Sequence, residues 1–173
     1  KKYFKKAKII YSSTNKIYGN LNNLKIKKKN NKYLNKNYKN GIDEKYKVDY
    51  CSPYGCSKGS ADQYLKDYAR IYNMNTTVLR KSCIYGHEQL GLFGQGWISF
   101  IINQAIMNKQ INVFGDGFQT RSFCYITDTT EGIISPILYF GICSGDIIDD
   151  MPRIAPCDGL CCVIIREECC RCN

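Results

Sequence analysis

The segment Ser52-Pro-Tyr-Gly-Cys-Ser-Lys58 opens the most regular helical pattern of this 173-residue chain. Ser52 is suited to cap the helix and Pro53 to begin it, because a serine hydroxyl accepts a free backbone N–H and proline has none to satisfy. Tyr54 and Lys58 then lie one helical turn apart and project from the same side. The residues at three- and four-residue spacing that predict one apolar face are Ala61, Tyr64, Leu65, Tyr68, Ile71 and Tyr72.

Short apolar and β-branched runs flank this helix. Residues 7–12 predict a buried strand that ends in the polar run Ser12-Ser-Thr14, and residues 76–82 predict a second strand. The other expected elements are strands at residues 111–114 and 122–126, a helix at residues 97–107, and a last helix that Asp128 caps and that runs toward Phe140. This alternation predicts an α/β fold, a partial Rossmann-like parallel sheet with flanking helices.

Much of the net charge of +10 comes from Lys residues that stand among Asn residues between residues 20 and 40. This segment has no apolar period, so we expect a long solvated surface loop. No known nucleic-acid module accompanies the charge, and we therefore expect no nucleic-acid partner. No membrane partner is expected either, because the chain has no apolar run of about 18 residues.

Seven of the eleven cysteines crowd residues 141–173, and no Lys follows Lys109. We interpret residues 1–140 as the enzyme-like domain and residues 141–173 as an atypical, frameshifted tail that packs poorly against the sheet. A zinc site at Cys157-x-x-x-Cys161 and Cys169-x-x-Cys172 is the rival interpretation, although the intervening segment is short and lacks His. No signal-peptide pattern is visible, so we expect reduced cysteines and a cytoplasmic location.

Thr14, Tyr54 and Lys58 together suit proton abstraction from an alcohol. The Lys58 ammonium favours the phenolate form of a nearby Tyr54, and a cationic nicotinamide would favour it further. Such neighbours would bring a phenol with an unperturbed pKa of about 10 into the working range of a general base. Thr14 can donate a hydrogen bond to the same substrate oxygen.

Five stretches carry a wider likeness: Tyr11-Ser-Ser-Thr-Asn-Lys-Ile-Tyr-Gly19, Ser52-Pro-Tyr-Gly-Cys-Ser-Lys-Gly59, Ile84-Tyr-Gly86, Val113-Phe-Gly-Asp-Gly-Phe-Gln-Thr-Arg121 and Tyr125-Ile-Thr-Asp128. In order and spacing they resemble the extended short-chain dehydrogenase/reductase family. Within this family, two further stretches resemble the epimerases that act at C2 of a CDP-linked sugar. They are Gly41-Ile-Asp-Glu44 and Gln95-Gly-Trp97.

The resemblance implies that Thr14, Tyr54 and Lys58 are catalytic, that NAD is the cofactor, and that no metal takes part. The residues implied to contact the cofactor are Ser12, Ser13, Tyr54, Lys58, Ser82 and Ile84. The residues implied to contact the nucleotide-sugar substrate are Asn15, Gln95 and Arg121. The resemblance also implies a homo-oligomer in the intact enzyme.

Two departures from the family pattern shape the functional prediction. Asn15 and Lys16 stand where the related 4,6-dehydratases carry an Asp-Glu pair, so the acid and base for eliminating water are missing and epimerisation is favoured. No G-x-x-G-x-x-G segment precedes the first strand, so we expect the C-terminal part of a cofactor domain, lacking its N-terminal Gly-rich βαβ unit. A UDP-hexose 4-epimerase, and a non-catalytic remnant or basic binding protein, remain the alternatives.

Overall fold

The computed structural model describes residues 7–29, 31–38, 41–139 and 163–165. Its elements, in chain order, are β1 (Lys8–Thr14), a 3-10 turn (Asn15–Tyr18), β2 (Ile26–Lys29), β3 (Lys32–Asn35), α1 (Pro53–Tyr72), β4 (Asn75–Lys81), β5 (Cys83–Tyr85), α2 (Trp97–Ile106), β6 (Phe123–Tyr125), α3 (Ile126–Tyr139) and β7 (Val163–Ile165). Parallel strands joined by helices confirm the predicted α/β class.

Strand β4 lies at the centre of the main sheet, between β1 and β7. It runs parallel to β1, and the register extends from Lys8 opposite Asn75 to Thr14 opposite Lys81. The crossover between these two strands contains α1, as a parallel connection requires. The carboxyl ends of β1 and β4 therefore meet at one edge of the sheet, which is where α/β folds place their binding sites.

Helix α1 begins as the sequence predicts, with the Ser52 hydroxyl accepting the backbone N–H of Gly55 at 3.0 Å. The side that it buries is not the predicted apolar face. The buried residues are Gly55, Gly59 and Asp62, and a Cβ at Gly59 would overlap the ring of Tyr50. Small residues on this side let the helix approach its neighbours closely.

The aromatic face of α1 lies on the other side of the helix and is exposed. Tyr64 is 67% exposed and Ile71 is 63% exposed among the described residues. Tyrosine fits the apolar pattern by its ring, yet its hydroxyl also tolerates water. The spacing therefore predicted the helix and its apolar face, and the structure shows that this face is exposed.

The Lys- and Asn-rich segment contains an antiparallel hairpin where we expected an unstructured surface loop. Ile26 lies opposite Asn35 and Lys29 opposite Lys32 in strands β2 and β3. Asn31 has a φ of 57°, a left-handed conformation that asparagine adopts more readily than most residues. This conformation allows the tight turn that connects β2 to β3.

Three further elements differ from prediction. Residues 111–114 form no strand. They lead into a turn in which Gly115 and Gly117 have positive φ and the Asp116 carboxylate accepts the Phe118 N–H. Helix α3 begins at Ile126, so Asp128 lies in its first turn and does not cap it. Strand β6 does form, over Phe123–Tyr125, and pairs in parallel with β5.

The expectation that the tail packs poorly against the sheet does not hold at three residues. Val163–Ile165 form β7, which pairs antiparallel with β4 along its free edge. β-Branched residues favour strands, and an open strand edge offers them a partner. The tail cysteines and Phe140 lie outside the described residues.

In the part of the chain that the structure describes, Cys51, Cys56 and Cys83 are free thiols. The Cys124 thiol donates to the Tyr125 carbonyl at 3.6 Å. The same part contains no helix that is long and apolar enough to cross a membrane.

Candidate active site

Thr14 ends strand β1 at the edge of the sheet. Its buried Oγ1 accepts the backbone N–H of Lys16 at 3.3 Å and so caps the 3-10 turn that follows. A hydroxyl that accepts this bond keeps its own O–H for donation. Thr14 is therefore fixed in place and still able to donate one hydrogen bond.

Tyr54 and Lys58 lie in the first turns of α1, as predicted. Tyr54 is 53% exposed, so its hydroxyl is accessible to a substrate. The Lys58 ammonium donates to the backbone carbonyl of Ser12 at 3.0 Å, two residues before Thr14. Of its three N–H groups this bond uses one.

A second contact fixes the helix start against the 3-10 turn. Gly55 follows Tyr54 directly, and a Cβ at this position would lie 3.2 Å from the carbonyl oxygen of Lys16. The end of β1, the 3-10 turn and the start of α1 thus pack together. The three predicted catalytic residues lie on these adjoining segments.

Tyr11 supports the Tyr54–Lys58 pair from β1. The Lys58 nitrogen lies 5.3 Å from the centre of the Tyr11 ring, and the Tyr11 hydroxyl donates to the Lys58 carbonyl at 3.4 Å. Burial, the Asp62 carboxylate and the Tyr54 phenol together raise the pKa of Tyr11 above its usual 10.0. Tyr11 therefore remains a neutral phenol, and its ring face attracts the Lys58 cation.

Ser82 follows β4 at the same edge of the sheet. Its Oγ is buried and has no hydrogen-bond partner in the described structure. The neighbouring Lys81 pairs with Thr14, so Ser82 lies beside the end of β1. Buried polar groups are nearly always satisfied, and this one is free to meet a ligand.

Ile84 lies in the middle of β5, half-buried, and its carbonyl accepts the Gln89 side-chain amide at 3.1 Å. Gln89 in turn accepts the Ser99 hydroxyl at 2.7 Å, which ties β5 to helix α2. This link could not be predicted from the sequence, because Gln89 stands in a loop without a recognisable motif.

The three predicted substrate contacts lie on separate segments. Asn15 directly follows Thr14 and is exposed at the site. Gln95 lies in the loop before α2, and Arg121 lies two residues before β6; both side chains are exposed. No hydrogen bond joins either side chain to Tyr54 or Lys58 among the described residues, so their roles remain predictions.

A buried polar cluster beneath the site was not predicted. Arg80 of β4 makes two hydrogen bonds of 2.9 Å to the carboxylate of Asp62 on α1. Ser13 donates to the same carboxylate at 2.8 Å, and the Tyr18 hydroxyl lies 3.0 Å from Arg80. Because the Ser13 O–H is donated here, Ser13 can meet a cofactor only as a hydrogen-bond acceptor or through its backbone.

The charges of this cluster are balanced. Burial alone would lower the pKa of Arg80, but the hydrogen bonds to Asp62 and Tyr18 outweigh it and raise the pKa above its usual value. Burial raises the pKa of Tyr18, which therefore stays protonated. A planar guanidinium matched to a carboxylate by two bonds is a geometry that lysine cannot reproduce.

The described residues contain no group of three or more His, Cys, Asp or Glu side chains placed to hold a metal ion. His87 is exposed in the loop after β5, where its ring lies 3.9 Å from the Glu88 carboxylate. The one histidine of the chain is a loop residue.

The chain is similar in sequence to a family of known proteins. Residues 1–137 match the profile of the NAD dependent epimerase/dehydratase family. The chain belongs to this family. Among its relatives, the CDP-paratose 2-epimerase of Salmonella typhi is 41% identical over 133 residues, which cover 74% of this chain and 39% of that protein.

Solved structures of epimerase/dehydratase enzymes share the fold. The dTDP-glucose 4,6-dehydratase from Bacillus anthracis, in complex with NAD, superposes with a TM-score of 0.61 at 26% identity, covering 81% of this chain and 39% of that one. The UDP-glucuronic acid 4-epimerase from Bacillus cereus, in complex with UDP-glucuronic acid and NAD, gives a TM-score of 0.57 at 26% identity, covering 78% and 37%. The chain thus spans less than half the length of these relatives, and the Rossmann-like fold predicted from the sequence is confirmed.

Proposed function

We propose that this chain carries the catalytic residues of an NAD-dependent nucleotide-sugar epimerase that converts CDP-paratose to CDP-tyvelose at C2. The observation that carries the proposal is the Lys58–Ser12 hydrogen bond, which seats the Tyr54 helix against the end of β1. The 41% identity to a CDP-paratose 2-epimerase supports the choice of substrate. The activity is proposed for the complete enzyme, meaning a protein that joins this segment to the regions of its relatives that it does not span.

Tyr54 is the proposed general base. Its phenolate takes the proton of the sugar C2 hydroxyl, and Thr14 donates a hydrogen bond to the same oxygen. The Lys58 ammonium stabilises the phenolate by its charge. When the proton is needed again, Tyr54 returns it to the oxygen, so one residue serves both directions of the reaction.

NAD, when bound, supplies a reversible hydride acceptor at the sugar carbon. The residues present fit its nicotinamide end. Lys58 has N–H groups left after its bond to Ser12, and the buried Ser82 hydroxyl lacks a partner at the same edge. Ile84 supplies an apolar surface on the neighbouring strand β5, and the backbone of Ser12 and Ser13 lies beside them.

Dehydration is disfavoured by the residues that follow Thr14. Elimination of water needs an acid and a base beside the sugar, and neither Asn15 nor Lys16 is a carboxylate. Epimerisation needs only the Tyr54 base, its Lys58 partner and the hydride acceptor. We assign Asn15 to hydrogen bonding with the sugar, and Gln95 and Arg121 to the substrate, with the guanidinium facing the diphosphate.

A second candidate is 4-epimerisation of a UDP-hexose by the same residues. It is supported by the structural likeness to a UDP-glucuronic acid 4-epimerase. For either reaction we propose a cytoplasmic enzyme with residues 1–140 as its catalytic part. We also propose a homo-oligomer, for which the exposed aromatic face of α1 offers a surface.

Substrate deuterated at C2 tests the proposal in the complete enzyme. Conversion of C2-deuterated CDP-paratose to CDP-tyvelose that keeps its deuterium is expected, because hydride leaves and returns within one site. Conversion of UDP-glucose to UDP-galactose, with CDP-paratose unchanged, would favour the second candidate. A protein that converts neither sugar would contradict the enzyme proposal and favour a non-catalytic remnant.

A further inference from the structure

The Asp62–Arg80 pair is completely enclosed. Asp62 is 0% exposed and Arg80 is 1% exposed, and the proposed reaction uses neither side chain. Enclosed ion pairs contribute little net stability, because desolvation of the two charges offsets most of their attraction. A well-formed ion pair at an enclosed position therefore indicates a role other than stabilisation.

The pair joins the three elements that carry the proposed site. Ser13 and Arg80 are direct neighbours in the β1–β4 register, and both contact the Asp62 carboxylate of α1. The cluster therefore forms a three-way junction between two strands and a helix, and each of its hydrogen bonds is directional.

Each member of the junction is close in sequence to a residue of the site. Ser13 lies between Ser12, whose carbonyl holds Lys58, and Thr14. Asp62 follows Lys58 by one helical turn on the same helix. Arg80 precedes Ser82 by two residues. A shift at the junction would therefore move the site residues on both strands and on the helix together.

We propose that Asp62 is a positioning residue, whose carboxylate, held by Arg80 and Ser13, sets the distance between the helix that carries Tyr54 and Lys58 and the strand end that carries Thr14. The inference rests on the proposed function. Misplacement of a catalytic group by about 1 Å can cost up to a hundredfold in rate, so a small shift at this junction is costly.

Ser13→Ala is the sharpest test, since it removes one bond to Asp62 without leaving an unpaired buried charge. Thr76→Val is its matched control. The Thr76 hydroxyl also ties β4 to α1, by a 3.3 Å bond to the Leu65 carbonyl, but at the opposite end of the strand. Both variants lose one hydroxyl link between strand and helix.

In the complete enzyme, Ser13→Ala is expected to lower kcat about tenfold with KM changed less than about twofold, and Thr76→Val to leave kcat within about twofold. The rise of kcat with pH should move to higher pH in Ser13→Ala, because a displaced Lys58 stabilises the Tyr54 phenolate less. Tyr11, which also interacts electrostatically with Tyr54, is intact in both variants.

Amide hydrogen exchange in the chain itself gives a readout that is independent of turnover. Exchange at Thr14 and the following 3-10 turn should accelerate in Ser13→Ala and stay unchanged in Thr76→Val. Equal kcat, pH profile and exchange in the two variants would overturn the positioning role. Turnover that survives Tyr54→Phe would instead contradict the proposed function, so the two failures are distinguishable.

Discussion

The Lys58 ammonium of helix α1 donates a 3.0 Å hydrogen bond to the Ser12 carbonyl of strand β1. This bond joins two segments that are 46 residues apart in the chain. The bond holds the cation 5.3 Å from the centre of the Tyr11 ring and beside the Ser12 carbonyl, close to Thr14. The proposed chemistry depends on this placement.

Removal of the Lys58 charge should slow the reaction and shift its pH dependence. In the complete enzyme, Lys58→Met is expected to lower kcat at least about a hundredfold at neutral pH. An ammonium favours the phenolate, so its loss should move the rise of kcat to higher pH. Steady-state kinetics across pH measures both effects.

Lys47→Met is the control for this change, because Lys47 is exposed in the loop before α1. It should leave both kcat and the pH profile unchanged. Equal profiles for Lys58→Met and the unmodified enzyme would show that Lys58 does not act on the base.

The 173-residue chain by itself should bind NAD weakly or not at all. The pyrophosphate of a dinucleotide normally rests on a Gly-rich turn and the helix N-terminus that follows it, and the sequence contains no G-x-x-G-x-x-G segment ahead of β1. Isothermal titration calorimetry measures the affinity directly. Tight binding would place the cofactor site elsewhere in the chain.

The β2–β3 hairpin is expected to depend on Asp116. The Lys28 ammonium lies 2.7 Å from the Asp116 carboxylate, and the Tyr33 hydroxyl donates to it at 2.6 Å. These bonds, with the Phe118 N–H, hold the pKa of Asp116 well below its usual 3.8. Asp116→Asn should therefore accelerate amide exchange at residues 26–35.

The pH dependence of this contact follows from the lowered pKa. A carboxyl whose folded pKa is depressed contributes fully above its unfolded pKa and loses that contribution as pH falls toward the folded value. The protection of the hairpin amides, taken relative to the intrinsic exchange rate at each pH, should thus stay constant from neutral pH down to about pH 4 and fall below it. Asp43→Asn, at an exposed loop carboxylate, is the control. Identical exchange in both variants would contradict the link.

The tail is expected to hold no zinc. Cys157-x-x-x-Cys161 and Cys169-x-x-Cys172 are separated by seven residues, a short connection for a four-thiolate site, and no His assists. Elemental analysis after zinc addition and dialysis should find well under one zinc per chain. One tightly held zinc, lost in the Cys169→Ser, Cys172→Ser double variant, would establish a metal-bearing tail.

Local signals allowed the sequence to predict the elements around the site. The Ser52 cap, the Pro53 start and the β-branched runs act within a few residues, so α1, β1 and β4 were all expected near their observed bounds. Family-like spacing placed Thr14, Tyr54 and Lys58 on these elements. Their catalytic roles stay predictions.

Contacts between distant residues could not be predicted. Asp62 and Arg80 look like surface charges in the sequence, and only the β1–β4 register with α1 above it encloses them. The hairpin's link to Asp116 spans 88 positions. The exposure of the aromatic face of α1 could not be predicted for a related reason. Periodicity shows that one side of a helix is apolar, but it does not show which other element covers that side.

Tyr54→Phe, compared with Tyr64→Phe, tests the central claim most directly. Both changes remove a hydroxyl from an exposed tyrosine of α1 and alter little volume, so folding and NAD binding should persist in each. In the complete enzyme with CDP-paratose, Tyr54→Phe is expected to lower kcat at least about a hundredfold while Tyr64→Phe leaves it unchanged. Turnover near that of the unmodified enzyme in Tyr54→Phe would show that another residue is the base.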